Sequence, residues 1–413
     1  MMNDVTPRPR DEHDKNTKNT DAHHESPFKT PEQTAATDAT KEPQSSASMT
    51  DHGKQSKKHW WKRLSKKQWI IIAIVAAVIV LGGGGALAWK LTHHTKPAPA
   101  KIVKKTTPKP APPQPTTVAS TLTGLQVDPS VNQRPVTAVM IENSTDARPQ
   151  SGLDQAGVVF EAVAEGGITR FLALFQDTQP GYIGPVRSVR PYYIQWLMGF
   201  DASVAHVGGS PEGISDLKTW GVKDLDQFYN GSYYQRISSR YAPHNVYTSM
   251  ANLNALEAKK GIGASTYTGF ARKPEAPSKT PNATSIDLAI SGFYYNVHYD
   301  YDPATNSYKR SEAGKPHMEV DANGAQTQIQ PKVVVALVMP QGIEADDLHT
   351  SYATIGSGQA FVFQDGIVTP GTWHKDANNK QFTFTDSNGK VLAFNPGQTW
   401  LTAMGSAGGV TYK

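Results

Sequence analysis

The sequence contains no cysteine among its 413 residues. This absence excludes disulfide bonds, thiolate catalysis, cysteine-based zinc or iron–sulfur sites and an acylated-cysteine lipoprotein anchor. HExxH, GxSxG, P-loop and GxGxxG motifs are also missing from the sequence. Since no established catalytic pattern is present, we favour a protein that is not an enzyme, with no resident cofactor and no metal site.

Positive charge is scarce outside the N-terminal quarter of the chain, although the formal net charge is +5. Residues 1–118 carry 19 Lys and Arg against 10 Asp and Glu, whereas residues 119–413 carry 22 against 26. A protein that binds nucleic acid needs a basic face. The acidic balance of the larger part therefore excludes nucleic acid from the expected partners.

Large apolar residues are almost missing from residues 1–59, which are rich in Asp, Thr, Lys, Pro and His. Such a segment cannot bury enough apolar surface to offset the entropy lost on folding. We expect residues 1–59 to form a disordered cytoplasmic tail.

Residues 60–89 combine a basic, tryptophan-bearing segment with a long apolar run. The run, Ile70–Trp89, has twenty uncharged residues, and as a helix it would span about 30 Å, the thickness of a bilayer core. We expect one retained transmembrane helix. The alternative is a cleaved signal peptide, which would need an unusually long N-terminal region before its apolar core.

The charges that flank this run predict its orientation. Seven Lys and Arg lie between Lys54 and Lys67, against four between Lys90 and Lys104. The positive-inside rule then places the N-terminus in the cytoplasm and the C-terminal domains outside a single-pass cell-membrane protein. Residues 90–120 are rich in Pro and Lys and predict an extended extracellular linker.

Residues 121–265 show strand and helix patterns in alternation, which predicts an α/β domain. Strands are predicted at Val136–Glu142, Gly157–Ala164, Ile168–Gln176 and Ala202–Val207. One helix is predicted to begin at Pro191, and another covers Asn252–Lys260. Between them, a helix is predicted after the Gly-Gly-Ser-Pro turn, with Ser210 or Ser215 as its cap and with Ile214 and Leu217 on its inner face.

Residues 266–282 predict a linker, and residues 283–413 predict a small β-rich (α+β) domain. Its strands are predicted at Ile286–Ile290, Phe293–Tyr301, Lys332–Val338, Gln359–Gln364, Gln381–Thr385 and Val391–Phe394. Trp373 and Trp400 are expected to anchor the core, with carbohydrate stacking as the alternative. The acidic residues around Glu344 and Asp346-Asp347 could attract a cation, but we interpret them as a solvated loop.

Every basic residue between positions 119 and 217 is an arginine, whose planar fork of donors suits carboxylate or phosphate. Arg187 and Arg190 lie three residues apart where a helix is predicted to begin. The candidate anion-binding residues are Arg148, Arg170, Arg187, Arg190, His206, His244 and Asn245. The alternative is that the arginines are structural and form ion pairs with nearby carboxylates, the candidates being Glu142, Asp146, Glu161 and Glu165.

Four segments of the sequence are long enough to be specific: AVMIENSTDARPQSGLDQAGVVFEAVAEGGITRFLALF, IGPVRSVRPYY, AHVGGSP and APHNVY. With these segments the chain resembles the YerB-like bacterial lipoprotein family over about residues 131–404. The resemblance implies a bacterial, membrane-tethered surface protein with a domain of unknown function and a smaller C-terminal domain. It implies no reaction, and the apolar run at Ile70–Trp89 would replace the acylated cysteine of other members.

The order of strand, hairpin, arginine-bearing loop and Gly-Gly-Ser-Pro turn is also similar to the LytR-CpsA-Psr family of membrane-anchored glycopolymer transferases. That resemblance implies that Arg170, Arg187 and Arg190 would grip the phosphates of a polyprenyl pyrophosphate. A Mg²⁺ ion held by Glu142 or Glu161 would belong to this alternative alone.

Three functions therefore remain open. The first is an envelope accessory protein that binds an anionic wall component, a lipid-linked phosphate or a membrane partner. The second is a phosphoryl or glycopolymer transferase that uses the same arginines. The third is a scaffold for an envelope protein partner, in which the arginines are structural.

Overall fold

The structure is a computed structural model that describes residues 65–75, 77 and 116–413. The chain divides into two units, Met1–Thr107 and Pro108–Lys413. The tail predicted for residues 1–59 and most of the linker predicted for residues 90–120 lie outside the described residues.

The described part of the first unit is helix α1, which covers residues 66–75. Of the predicted transmembrane helix Ile70–Trp89, only residues 70–75 and 77 are described. Among the described residues, no helix has both the length and the apolar character that crossing a membrane requires.

The second unit contains the remaining helices and all the strands that the structure describes. The helices are α2 (Pro191–Met198), α3 (Pro211–Thr219) and α4 (Met250–Lys259). The first nine strands are β1 (Val118–Ala119), β2 (Gln126–Val127), β3 (Thr137–Glu142), β4 (Val158–Glu165), β5 (Ile168–Phe175), β6 (Ser203–Ala205), β7 (Lys223–Asp224), β8 (Gln235–Arg236) and β9 (Val246–Tyr247).

Strands dominate the C-terminal half of this unit. They are β10 (Ser285–Leu288), β11 (Val297–Asp302), β12 (Ser307–Glu312), β13 (Lys315–Pro316), β14 (Met318–Val320), β15 (Gln326–Gln328), β16 (Val333–Val338), β17 (Gln341–Ile343), β18 (Thr350–Tyr352), β19 (Gly356–Gln364), β20 (Ile367–Lys375), β21 (Thr383–Asp386), β22 (Thr399–Met404) and β23 (Val410–Tyr412).

One mixed sheet of ten strands runs through both halves, in the order β21-β20-β19-β16-β22-β4-β5-β3-β6-β7. The halves meet where β22 pairs in parallel with β4, with Thr399 opposite Val158 and Thr402 opposite Glu161. A second sheet has the order β13-β12-β11-β10-β23. The predicted α/β and β-rich regions therefore share a sheet.

Both faces of the ten-stranded sheet are covered. On β4, Phe160 packs with α2 on one face, whereas its neighbour Val159 packs with α4 and Trp400 on the other. This follows from the two-residue repeat of a strand. Farther along the sheet, Val334 of β16 packs against the five-stranded sheet. Parallel strands that are covered on both faces read as continuous apolar runs, as β3 and β4 do.

Most of the predicted elements are confirmed, and the exceptions have local reasons. Ile214 is 40% exposed, so its prediction as an inner residue of α3 is wrong, although Leu217 is buried. Strand β11 begins only at Val297, because the preceding residues form a turn in which the N–H groups of Tyr295 and Asn296 donate to the Gly292 carbonyl. Val391–Phe394 forms bridges rather than a strand.

The two tryptophans and the predicted linker all pack into the fold. Trp373 and Trp400 are buried, which confirms the packing interpretation. Within residues 266–282, Phe270 is buried and Arg272 donates hydrogen bonds to the carbonyls of Leu122 and Asn395. This stretch therefore contacts both halves of the unit.

Candidate functional site

Two buried arginines converge on one carboxylate at the end of strand β4. Arg170 Nη2 lies 2.5 Å from Glu165 Oε1, and Arg190 Nη2 lies 2.6 Å from Glu165 Oε2. The two arginine side chains are almost fully buried, whereas the Glu165 side chain is 23% exposed. Glu165 precedes the turn residues Gly166 and Gly167, which both have positive φ. The turn between β4 and β5 therefore places the Glu165 carboxylate between Arg170 and Arg190.

The backbone near helix α2 completes the surroundings of these guanidinium groups. Arg170 Nη1 donates to the carbonyl of Ser188 at 2.9 Å, and Arg190 Nη1 donates to the carbonyl of Val189 at 2.8 Å. Arg190 is the N-cap of α2, so the positive end of the helix dipole adds to the two formal charges. The site therefore concentrates positive charge around one carboxylate.

The pKa shifts agree with this geometry. Burial by itself would raise the pKa of Glu165, but the charges and hydrogen bonds of Arg170 and Arg190 outweigh it and hold the pKa below its ordinary value. Burial and repulsion from Arg170 lower the pKa of Arg190, and Glu165 opposes both effects. The two arginines are thus stabilised by an anion between them.

Arg187 belongs to the same cluster through a second carboxylate. Its Nε lies 3.3 Å from Glu142 Oε2, and its side chain is 22% exposed. Burial lowers the pKa of Arg187, Glu142 opposes this, and the charges of Arg170 and Glu165 also reach it. We call Arg170, Arg187 and Arg190 the arginine cluster. Three positive charges face two carboxylates here.

Two arginines of the cluster have an unused donor. The Nε atoms of Arg170 and Arg190 are buried and have no hydrogen-bond partner among the described residues, whereas Arg187 Nε faces Glu142 Oε2 at 3.3 Å. An unpaired buried donor costs about 1–3 kcal/mol, so such groups are rare and call for an explanation.

His244 joins the cluster only through Glu142. Its Nδ1 lies 2.9 Å from Glu142 Oε1 and 3.3 Å from Ser144 Oγ. The carboxylate and the hydroxyl therefore approach the same ring nitrogen. In a serine–histidine–carboxylate triad they occupy opposite nitrogens, so this trio lacks the triad geometry.

The structure places the other candidate residues outside the arginine cluster. Arg148 binds Asn143 and the carbonyl of Tyr294 and lies 3.2 Å from Glu312. His206 is fully buried, with Nδ1 2.8 Å from the carbonyl of Gly208 and Nε2 3.1 Å from Asp224. Their geometry is that of structural contacts.

Asn245 is likewise engaged within the fold. Its Oδ1 accepts a hydrogen bond from Arg236, and its Nδ2 donates to the carbonyl of Ile237. Of the seven candidate residues, the cluster thus includes three arginines and, indirectly, His244.

The carboxylates suggested for Mg²⁺ are both occupied. Glu161 is fully buried, and its oxygens accept from Arg310 at 2.9 Å and from Trp400 at 3.1 Å. Glu142 contacts Arg187 through Oε2 and His244 through Oε1. No sequence pattern pointed to Arg310, which lies in a polar strand far from Glu161 along the chain.

Two family models match this chain. Residues 122–263 match the model described as "Protein of unknown function (DUF3048) N-terminal domain", and residues 286–401 match its C-terminal domain. The chain belongs to the DUF3048 family. The resemblance to YerB-like proteins is thereby confirmed.

A curated relative of this chain is the protein "Putative lipoprotein YerB" from Bacillus subtilis. The two are 32% identical over 284 residues, which are 68% of this chain and 84% of the relative. The crystal structure of Bacillus subtilis YerB matches with a TM-score of 0.64 and 29% identity, and it covers 72% of this chain and 99% of YerB.

The arginine cluster lies wholly within the N-terminal DUF3048 domain, since residues 170–190 fall inside that match. The C-terminal DUF3048 domain supplies β16 and the start of β22, which extend the same sheet.

Proposed function

We propose that this chain is a membrane-anchored envelope protein that binds an anionic, phosphate-bearing ligand at the arginine cluster without catalysing a reaction. The observation that carries the proposal is the convergence of Arg170 and Arg190 on the partly exposed Glu165, with the Nε atom of each arginine unpartnered among the residues that the structure describes. Glu165 would act as a built-in substitute for the ligand.

Phosphate suits the cluster better than carboxylate does. Three guanidinium groups offer more donors than the two oxygens of Glu165 can accept, and a phosphate or pyrophosphate has additional acceptor oxygens. The excess of one positive charge over Glu165 and Glu142 also favours a ligand with more than one negative charge. Lipid-linked phosphates and phosphate-rich wall polymers share this chemistry.

The ligand must displace Glu165 before it can reach Arg170 and Arg190. The turn is open at Gly166, where an added Cβ atom would meet no neighbouring atom within 4 Å, whereas at Gly167 it would meet Ser291 Oγ at 2.7 Å. The Glu165 backbone bridges to His349, so the displacement would be confined to the Glu165 side chain. Glu165 would fold outward into solvent, where its charge is well solvated.

Titration of the full-length protein in detergent tests this proposal. We expect saturable binding of a polyprenyl pyrophosphate or a teichoic-acid fragment, and a loss of at least about tenfold in affinity in Arg187→Gln, because a charge-assisted contact is removed. Arg134→Gln is the matched control, since Arg134 donates to the carbonyl of Gln176 away from the cluster. Equal affinity in both variants would contradict the proposal, as would the absence of binding by folded wild type.

The membrane anchor is proposed to be the apolar segment Ile70–Trp89. Its length and flanking charges support a single-pass anchor with the N-terminus in the cytoplasm. The relative's description as a lipoprotein supports membrane tethering in general. Since this chain has no cysteine, an acyl thioether cannot supply the tether.

Protease treatment of intact bacterial cells tests the proposed topology. We expect residues beyond about position 90 to be digested and an epitope tag at the N-terminus to be protected. Replacing Ile74 and Val78 with Asp should move the protein out of the membrane fraction, because a charge at the bilayer centre costs about 3 kcal/mol. Protection of the C-terminal domains would contradict this orientation.

The transferase alternative remains a separate proposal with less geometric support. Glu142 and Glu161 are both engaged within the fold, and His244 has no triad arrangement. Incubation with a lipid-linked glycopolymer and an acceptor would test it. Turnover that Arg187→Gln abolishes would establish the transferase in place of the binding protein.

A further inference from the structure

We infer that Glu344, Asp346 and His349 form a binding site for a divalent transition-metal ion, at the connection between β17 and β18. Each residue offers one ligand atom, and these atoms all lie within 4.8 Å of one another. None of the three is an arginine of the cluster, but the two sites are neighbours, because the His349 backbone bridges to Glu165 and the charge of Arg190 reaches Glu344.

Glu344 distinguishes this group from an ordinary acidic loop. The residue is only 6% exposed, and neither of its carboxylate oxygens has a hydrogen-bond partner of standard geometry among the described residues. The prediction of a solvated acidic loop is therefore wrong for Glu344. A buried carboxylate needs a positive partner or a set of hydrogen bonds.

The turn after Glu344 holds the other two ligands in place. Asp346 Oδ1 accepts hydrogen bonds from the backbone N–H groups of Leu348 and His349, at 3.1 and 3.0 Å. Asp346 Oδ2 is hydrogen-bonded to His349 Nδ1. The His349 backbone also bridges to Glu165 and accepts from the Glu344 N–H. These contacts fix the loop before an ion arrives.

The electrostatic surroundings favour a cation. Glu212 lines the same cavity as Glu344 and Asp346, with a volume of about 240 Å³. Three carboxylates thus surround one opening.

The ligand types select the class of metal. Two carboxylates with one imidazole suit Zn²⁺ or Mn²⁺, since imidazole favours Zn²⁺ and similar ions while carboxylates alone would favour Mg²⁺ or Ca²⁺. Binding at His349 Nδ1 requires a neutral ring with its hydrogen on Nε2, so an imidazolium would release the Nδ1 proton to solvent, and a neutral Nδ1–H ring would exchange it for a proton on Nε2. Water molecules would complete the coordination shell.

Calorimetric titration of the full-length protein with Zn²⁺ and with Mn²⁺ tests the site. We expect one saturable site per chain, and roughly tenfold or greater weakening in Glu344→Gln and in His349→Ala. His298→Ala is the matched control, because His298 lies between Asp287 and Asp300 on an exposed surface and uses both ring nitrogens for them.

Electron spin-echo spectroscopy of bound Mn²⁺ gives a second measurement that does not require the Glu344 variant to fold. We expect nitrogen modulation from one imidazole in wild type and its loss in His349→Ala, with no change in His298→Ala. Failure of wild type to bind either ion, or binding that His349→Ala leaves unchanged, would overturn the inference.

Discussion

Replacing Arg310 with Met is expected to lower the free energy of unfolding by about 3–5 kcal/mol, because the variant leaves a buried carboxylate without its charge partner. Arg310 and Glu161 are both fully buried, and Arg310 Nη2 lies 2.9 Å from Glu161 Oε1. Burial opposes the charge on Arg310, but Glu161 and Tyr299 raise its pKa above the ordinary value. Urea unfolding of wild type and the variant measures the difference.

The other contacts of Arg310 add to the loss of unfolding free energy that we expect for Arg310→Met. Its Nε donates to His317 Nδ1 at 2.8 Å, and its Nη1 donates to the Tyr299 hydroxyl at 2.8 Å. Its guanidinium also lies 4.6 Å from the centroid of the Trp400 ring, as in a cation–π contact. All of these groups lose a partner together in Arg310→Met.

A double variant separates the charge effect from the loss of packing. In Arg310→Met/Glu161→Gln the charge of Glu161 is gone, and Glu312, which lies 3.6 Å from Arg310, keeps Arg148 as a partner. We therefore expect recovery of at least about 1 kcal/mol relative to the single variant. Lys309→Met is the surface control on the same strand, since Lys309 pairs with Asp302 in solvent and surface pairs contribute little. A loss below about 1 kcal/mol in Arg310→Met would contradict this account of the core.

Replacing Glu165 with Gln is expected to destabilise the protein and, at the same time, to strengthen anion binding. Arg170 and Arg190 would keep their burial but lose the charge between them. We expect a loss of roughly 1–3 kcal/mol, less than for a fully buried pair because Glu165 is partly exposed. Thermal unfolding at low ionic strength measures this loss.

Added pyrophosphate should restore the stability of Glu165→Gln. A ligand present at about 100 times its dissociation constant adds about 2.7 kcal/mol, enough to offset the expected loss. The purely structural interpretation of the arginines predicts the same initial loss without a specific recovery. Sodium chloride at matched ionic strength is the control, because general screening would act equally in both salts.

The predictability of the fold differed between its two halves. β3 was predictable from its uninterrupted apolar run, and β4 and β5 were predictable because two such runs flank a Gly-Gly turn. α3 was predictable from Ser210, whose hydroxyl caps it by accepting from Gly213. The parallel pairing of β22 with β4 was not predictable, because it joins residues some 240 positions apart and leaves no local pattern.

The candidate site was predictable in its residue types but not in its pairing. The Arg187–Arg190 spacing and the Glu165-Gly-Gly turn indicated the two segments that form the arginine cluster. The sequence could not show that Arg148 contacts Glu312 and Tyr294 of the C-terminal half, because those contacts depend on tertiary packing. His206 was misleading for the same reason, since Asp224 occupies its Nε2.

Calorimetric titration of pyrophosphate into wild type, Glu165→Gln and Glu165→Gln/Arg187→Gln tests the central claim most directly. If Glu165 occupies an anion site, its removal should tighten binding by roughly tenfold or more, since the competing carboxylate no longer reduces the fraction of open sites. The added Arg187→Gln change should then reverse much of that gain. Unchanged or weaker binding by a folded Glu165→Gln protein would show instead that Arg170, Arg187 and Arg190 are structural.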